Sequence, residues 1–137
     1  MSARQRVYSG APWEQNFGYC RATRVGDLIY VAGTTATQDG LPYAPDDPGA
    51  QARHILETIA GALSELGASL ADVVRYRVYI TDLAHVEPVM TELGRSFSDV
   101  HPTGTLVEVK GLIRPEPLVE IEGDAVAGSA SPVARPA

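Results

Sequence analysis

The chain has 137 residues, 45% hydrophobic and 20% charged, with 17 acidic against 11 basic side chains and a formal net charge of −6. That length holds one ordinary domain whose core can do without disulfides or a structural metal, and it excludes a second domain of usual size. The acidic balance, with Lys110 the one lysine, argues against binding driven by nucleic-acid phosphates, and no apolar run approaches the ~20 residues of a membrane span.

Ser2-Ala3-Arg4-Gln5-Arg6 is polar and unlike a secretory signal. With Cys20 the single cysteine, no intramolecular bridge can form, so a reducing, cytoplasmic location is expected. Val7-Tyr8-Ser9 is a short β-prone piece ending at Gly10-Ala11-Pro12, and residues 19–23 are a second. The Val25-Gly26-Asp27 turn leads into Leu28-Ile29-Tyr30-Val31-Ala32-Gly33, a strand by its β-branched and aromatic content, so the pair reads as a hairpin. Residues 39–49, rich in proline, glycine and aspartate, read as a loop. Pro48 suits the first turn of a helix capped by Asp47 or Asp46. Ala52, Ile55, Leu56, Ile59, Leu63 and Leu66 recur at helical spacing up to a stop at Gly67.

Residues 73–81 form a strand with Val74, Tyr76, Val78 and Ile80 predicted on one face and Val73, Arg75, Arg77 and Tyr79 on the other. Asp82 caps a second helix with Val86, Val89, Met90, Leu93 and Phe97 as its apolar stripe, closed by Pro102. Strands follow at 105–109 and 118–126. The expected organisation is a single domain over residues 1–127 and a disordered tail over 128–137, whose residues have almost nothing to bury. Two amphipathic helices over one face of one sheet make an α+β layer architecture. The other face carries Tyr30 or Ile29, Tyr79 and Val107 or Leu106, and a second copy of the chain is the simplest cover for it.

Nucleotide loops, a nucleophile elbow and metal spacings are absent: His54, His85 and His101 form neither an i, i+4 pair nor a cluster with Cys20. No metal or cofactor is therefore expected. Cys20 reads as a structural thiol, since the side chain of its neighbour Arg21 points to the opposite face. The one constellation with chemical content is acidic. Glu120, Glu122 and Asp124 share a face at period two, with Glu108 on the neighbouring strand. Each is either a solvated residue paired across strands with Arg75, Arg77 or Lys110, or a carboxylate in a partly dry cleft able to activate water.

In order and spacing, several stretches together resemble the Rid (reactive intermediate deaminase, also YjgF) family from Tyr8 to Ala127. They are Gly18-Tyr19-Cys20-Arg21-Ala22, Val25-Gly26-Asp27-Leu28-Ile29-Tyr30-Val31-Ala32-Gly33, residues 51–63 with Gly67, Leu70-Ala71-Asp72-Val73-Val74, and Val78-Tyr79-Ile80-Thr81-Asp82. Phe97, Pro102, Val107-Glu108-Val109-Lys110-Gly111-Leu112 and Val119-Glu120-Ile121-Glu122-Gly123-Asp124-Ala125 complete the set. The resemblance implies a chorismate-mutase-like α+β fold: one mixed sheet, two helices on one face, and a homotrimer with sheets facing inward and clefts at the subunit interfaces.

It also implies hydrolysis of a reactive imine, enamine or related small metabolite, with Glu120 catalytic and Tyr19, Ala32, Gly33, Gly104, Thr105 and Arg114 around the substrate. In the deaminase branch an arginine of a Pro-Ala-Arg-Ser type motif grips the substrate carboxylate. Here the motif reads Pro102-Thr103-Gly104-Thr105, so that grip cannot come from position 104. Ala32 stands in place of a serine the family often carries, and Thr34 in place of a glutamine. Arg114 is the candidate replacement cation. The competing reading is a non-catalytic trimer that binds small molecules or acts as a chaperone-like scaffold. The endoribonuclease activity attached by name to some members is disfavoured by the acidic charge, and neither nucleic acid nor a membrane is an expected partner.

Overall fold

A computed structural model describes residues 3–134. The hairpin forms where expected. Gly26, at φ 61°, turns the chain between β2 (Ala22–Val25) and β3 (Leu28–Thr34), which pair from Val25↔Leu28 to Ala22↔Val31. β1 (Gln5–Val7) adds to the edge of β2. Between them lies an element not expected from the sequence, the six-residue helix α1 (Pro12–Phe17), opened by Pro12 and closed by Gly18 at φ 75°. Among the described residues there are thus three α-helices, α1 in addition to the two expected over the sheet. Within the predicted loop 39–49, part of a small hairpin also forms, β4 (Thr37–Gln38) with β5 (Leu41–Pro42).

α2 (Pro48–Glu65) starts where Asp47 Oδ1 accepts from Ala50 N at 3.0 Å. It ends in a Schellman turn: Ala68 N donates to Leu63 O and Gly67 N to Ser64 O, with Gly67 at φ 78°. Its buried stripe runs through Ala52, Ile55, Leu56, Ile59, Ala62 and Leu63. After β6 (Val73–Ile80), Asp82 caps a single 3-10 turn, Leu83–His85, that runs into α3 (Val86–Phe97), so it begins the helical segment one turn earlier than the α-helix itself. Val89, Leu93 and Phe97 bury α3 against the sheet, and Phe97 stacks on Tyr76 at 5.5 Å. α2 and α3 are joined by Glu92, which meets Arg53 at 3.5 Å and Arg95 at 2.9 Å.

β7 (Thr103–Glu108) runs parallel to β6, and β8 (Val119–Val126) returns antiparallel between β3 and β6. The six-stranded order is β1-β2-β3-β8-β6-β7, a mixed sheet with α2 and α3 on one face. Ile29, Val31, Val78, Ile80, Val119 and Ile121 form the sheet side of the core.

Two bulges modify the alternation. Val73 pairs with Ala125 and Arg75 with Asp124, leaving Val74 as an extra residue. Val73 is therefore buried and Val74 is 41% exposed, the reverse of the predicted faces, because a bulge moves every residue on one side of it to the other face. The second bulge sets Ala32 and Gly33 of β3 between the pairs Val31↔Gly123 and Thr34↔Ile121.

On the helix-free face the alternatives resolve to Tyr30 and Val107, both exposed, with Val25 and Leu28 beside Tyr30. Tyr79 lies there too, but that part of the face is polar: Arg77 stands 3.6 Å from Glu122 and 3.8 Å from Asp124. Past Ala127, Ser129 N donates to Val126 O and Ala130 N to Asp72 Oδ1. Residues 131–134 carry no regular structure, and the last three residues of the predicted tail, 135–137, lie outside the described residues.

Candidate active site

The bulge in β3 brings the backbone of Gly33 against the side chain of Glu120. A Cβ on Gly33 would stand 3.0 Å from Glu120 Cδ, so the glycine makes the room in which that carboxylate sits. Of the acidic row on β8, Glu122 and Asp124 share Arg77, and the Tyr79 hydroxyl donates to Glu122, which raises the Tyr79 pKa. Glu108 accepts from Leu83 N at 2.9 Å. Glu120 differs from all of these, having no ion pair or hydrogen bond among the described residues. Burial raises its pKa above the ordinary carboxylate value, the positive charge of Arg21 opposes the shift, and the charge of Glu122 adds to it.

Glu120 borders a cleft of about 1290 Å³ that Tyr19, Ala32, Gly33 and Arg114 also line. One wall is α1, where Trp13 and Phe17 stack at 5.5 Å and remain exposed. The 109–118 loop contributes Ile113 and Arg114 to the lining. That loop is tied down by buried Gln51, whose amide donates to Ala44 O and Glu116 O and accepts from Leu118 N at 2.8 Å.

Arg21, which lines the cleft, belongs to a buried ion pair. Arg21 Nε donates to Glu14 Oε2 at 3.3 Å, and Nη1 donates to Gly33 O and to Thr34 Oγ1 at 3.0 Å. The guanidinium carbon lies 5.6 Å from the centre of the Tyr19 ring. Glu14 also accepts from Ser9 N at 2.9 Å and Ser9 Oγ at 2.5 Å. Burial alone would raise the Glu14 pKa, but the Ser9 hydrogen bonds and the Arg21 charge outweigh it and hold the carboxyl below its ordinary value.

Five of the seven residues singled out from the sequence therefore meet in one cleft: Tyr19, Ala32, Gly33, Arg114 and Glu120. Gly104 and Thr105 do not join them within one chain. They lie on β7 at the far edge of the sheet, opposite Tyr76 and Arg77. A Cβ on Gly104 would stand 2.4 to 2.7 Å from Cζ, Cε1 and the hydroxyl of Tyr76, so at this exposed position the direction a side chain would take is blocked by Tyr76. Glu14, Arg21 and Trp13 were not foreseen as site residues. Pro12 with Glu14 in the first turn and Gly18 beyond the last residue is the sequence signal of α1, yet six residues are too few for a periodicity to register.

Among the described residues no group of three His, Cys, Asp or Glu side chains could hold a metal. His54 packs edge-on against Tyr43, with ring centres 4.2 Å apart. Among the described residues no helix is long and apolar enough to cross a membrane.

The family described as Endoribonuclease L-PSP matches residues 11–127. The uncharacterized protein SCO2049 of Streptomyces coelicolor is 37% identical over 125 residues, covering 91% of this chain and 93% of its own. The 3-aminoacrylate deaminase RutC of Acinetobacter baylyi is 33% identical over 104 residues, 75% of this chain and 82% of its own. Among solved structures, Rv2704 of Mycobacterium tuberculosis, a member of the YjgF/YER057c/UK114 family, superposes with a TM-score of 0.84 at 43% identity. That match covers 91% of this chain and all of Rv2704. PA3499 of Pseudomonas aeruginosa, of unknown function, gives 0.83 at 26% identity over 98% of this chain and all of its own. With the family match spanning nearly the whole α+β fold and the same layers present in Rv2704, the chain belongs to the YjgF/Rid (endoribonuclease L-PSP) family.

Proposed function

We propose that this protein is a hydrolase of the deaminase type that acts on a reactive imine, enamine or related small metabolite. The observation that carries the reading is Glu120, a half-buried carboxylate with no ion pair or hydrogen bond among the described residues, raised in pKa and lining a cleft. In the proposed step Glu120 takes a proton from water as the water oxygen bonds to the imine carbon. Glu120 passes that proton to the nitrogen, giving a carbinolamine; the carbinolamine hydroxyl then gives up its proton, through Glu120, to the same nitrogen as the C–N bond breaks, leaving a carbonyl and ammonia. Tyr19, Ala32, Gly33 and Arg114 shape the pocket around the reacting carbon.

The exposed Val25, Leu28, Tyr30 and Val107 support a homotrimer packed through the helix-free face. Gly104 and Thr105 of one chain reach a cleft only as part of a neighbouring chain, and the cytoplasm remains the proposed compartment. Gly104, which offers no side chain and whose side-chain direction Tyr76 blocks, favours a second reading, a trimer that binds small molecules without turning them over.

Incubating the protein with enzymatically generated imines, some with and some without a carboxylate, and following ammonia release separates the readings. Accelerated release is expected, rising with pH as Glu120 loses its proton, with Glu120→Gln lowering kcat/KM by roughly 10²-fold or more. A ligand that binds and is never consumed favours the second reading. Full activity in Glu120→Gln refutes the assigned role.

A further inference from the structure

We infer that Arg21, held in place by Glu14, is the residue of this cleft that binds a carboxylate on the ligand. The inference rests on the proposal that the cleft takes a small metabolite beside Glu120, and it names the chemistry that metabolite carries. A guanidinium has five N–H donors in a planar fork. In Arg21 the Nε–H is taken by Glu14, and Nη1 serves Gly33 O and Thr34 Oγ1. Nη2 has no partner among the described residues. The side chain keeps one tenth of its surface accessible and lines the cleft, with Tyr19 against it. Three contacts thus fix the guanidinium and leave Nη2 as its unused donor, on a side chain that lines the same cleft as Glu120.

Arg114 is the other cation lining the cleft, and it is not held in this way. It lies on the loop between β7 and β8, and its Nε is buried without a hydrogen-bond partner among the described residues. Binding a ligand through Arg114 requires freezing a side chain that Arg21 has already frozen on folding, so the pre-organised residue is the stronger anchor. Glu14 acts through Arg21 and is a positioning residue. Its charge is shared with two donors of Ser9, which leaves the guanidinium only partly neutralised. Ligand recognition thereby moves from β7, where Gly104 has no side chain to offer, to the segment between α1 and β2 of the chain that supplies Glu120.

The test compares binding of pyruvate with that of pyruvamide, its uncharged amide, by calorimetry or ligand-observed NMR on the full chain. Wild type is expected to prefer pyruvate. A paired Glu14→Gln, Arg21→Gln variant leaves no orphaned charge, and it should lose about tenfold or more of the pyruvate affinity while holding pyruvamide as before. Arg21→Lys keeps the charge and loses the anchored guanidinium with its free Nη2, so the preference should fall partway. It serves as the readout if the paired variant does not fold. Equal binding of the two probes by wild type, including no binding of either, overturns the inference. So does a preference that Arg114→Gln erases and the Arg21 variants keep. Pyruvate held through Arg21 with no ammonia released from any imine sinks the hydrolase reading alone. Hydrolysis of imines regardless of a carboxylate sinks only this one.

Discussion

Position 104 gives the most direct test of how the fold uses its sequence. In Gly104→Ala the new methyl would lie 2.4 Å from Cζ and 2.6 Å from Cε1 of Tyr76. Carbon atoms in contact sit at about 3.5–4.0 Å, so one of the two must move by more than an ångström. Tyr76 can swing away only by leaving Phe97, on which it stacks with 15° between the rings. Overpacking of this kind costs about 1–3 kcal/mol, and giving up the aromatic pair contributes about 0.5–1.5 kcal/mol within that range.

For a domain of this size the loss lowers Tm by roughly 3–10 °C. The informative experiment is a double-mutant cycle by thermal and urea unfolding. Tyr76→Ala alone destabilises by about 2–4 kcal/mol through the cavity it leaves. Adding Gly104→Ala on top should then cost nothing, a coupling of at least about 1 kcal/mol. The same clash means that Gly104→Arg by itself yields a less stable protein rather than a gain of carboxylate binding. A Gly104→Ala variant as stable as wild type, or one whose cost persists without Tyr76, would refute the packing argument.

Buried Glu14, paired with Arg21, and half-buried Glu120 should shift stability with pH in opposite senses. The folded pKa of Glu120 lies above 4.5, so its ionised form weakens the fold as pH rises through that value. Glu120→Gln should therefore raise Tm at pH 7 and lose that advantage in acid below about pH 4; a lower Tm at pH 7 contradicts the assignment. The folded pKa of Glu14 lies below 4.5, so its contribution is present above that value and disappears as pH falls through the folded one. Glu14→Gln should lower Tm at neutral pH, with the difference closing in acid. Gln51→Leu leaves Ala44 O, Glu116 O and Leu118 N without their partner, a loss of about 2–5 kcal/mol. It should also speed hydrogen exchange at the Leu118 amide and weaken ligand binding through the loosened Arg114 loop; an unchanged exchange rate counts against that tether.

Much of the layer architecture could be read directly from the chain. Asp47, Pro48, the Ile55–Leu63 stripe and Gly67 delimit α2 because capping, periodicity and a left-handed stop are local effects that leave a local pattern. The Val25-to-Leu28 turn and the alternation along β8 are legible for the same reason. Glu120 was identifiable as one acid in a row of three, but period-two spacing treats all three alike. Only the positions of Arg77, Tyr79 and the Gly33 bulge separate the paired acids from the unpaired one. The inverted faces of Val73 and Val74 were out of reach of a pattern argument, since a bulge is decided by how β6 pairs with a strand some fifty residues later.

The sequence by itself determined the class of fold, its helices α2 and α3, the strand that carries the acid, and the family, because each rests on local chemistry or on the order of short segments. Tertiary structure decided which residues make the cleft. It joined Glu14 on α1 to Arg21, put Arg21 and Gly33 in the cleft with Glu120, and kept Gly104 apart on β7, with Tyr76 across its side-chain direction. A buried charge is tolerated only where a partner meets it. The partner of Arg21 comes from a helix too short to announce itself, so the site became legible only once the chain had brought the two together.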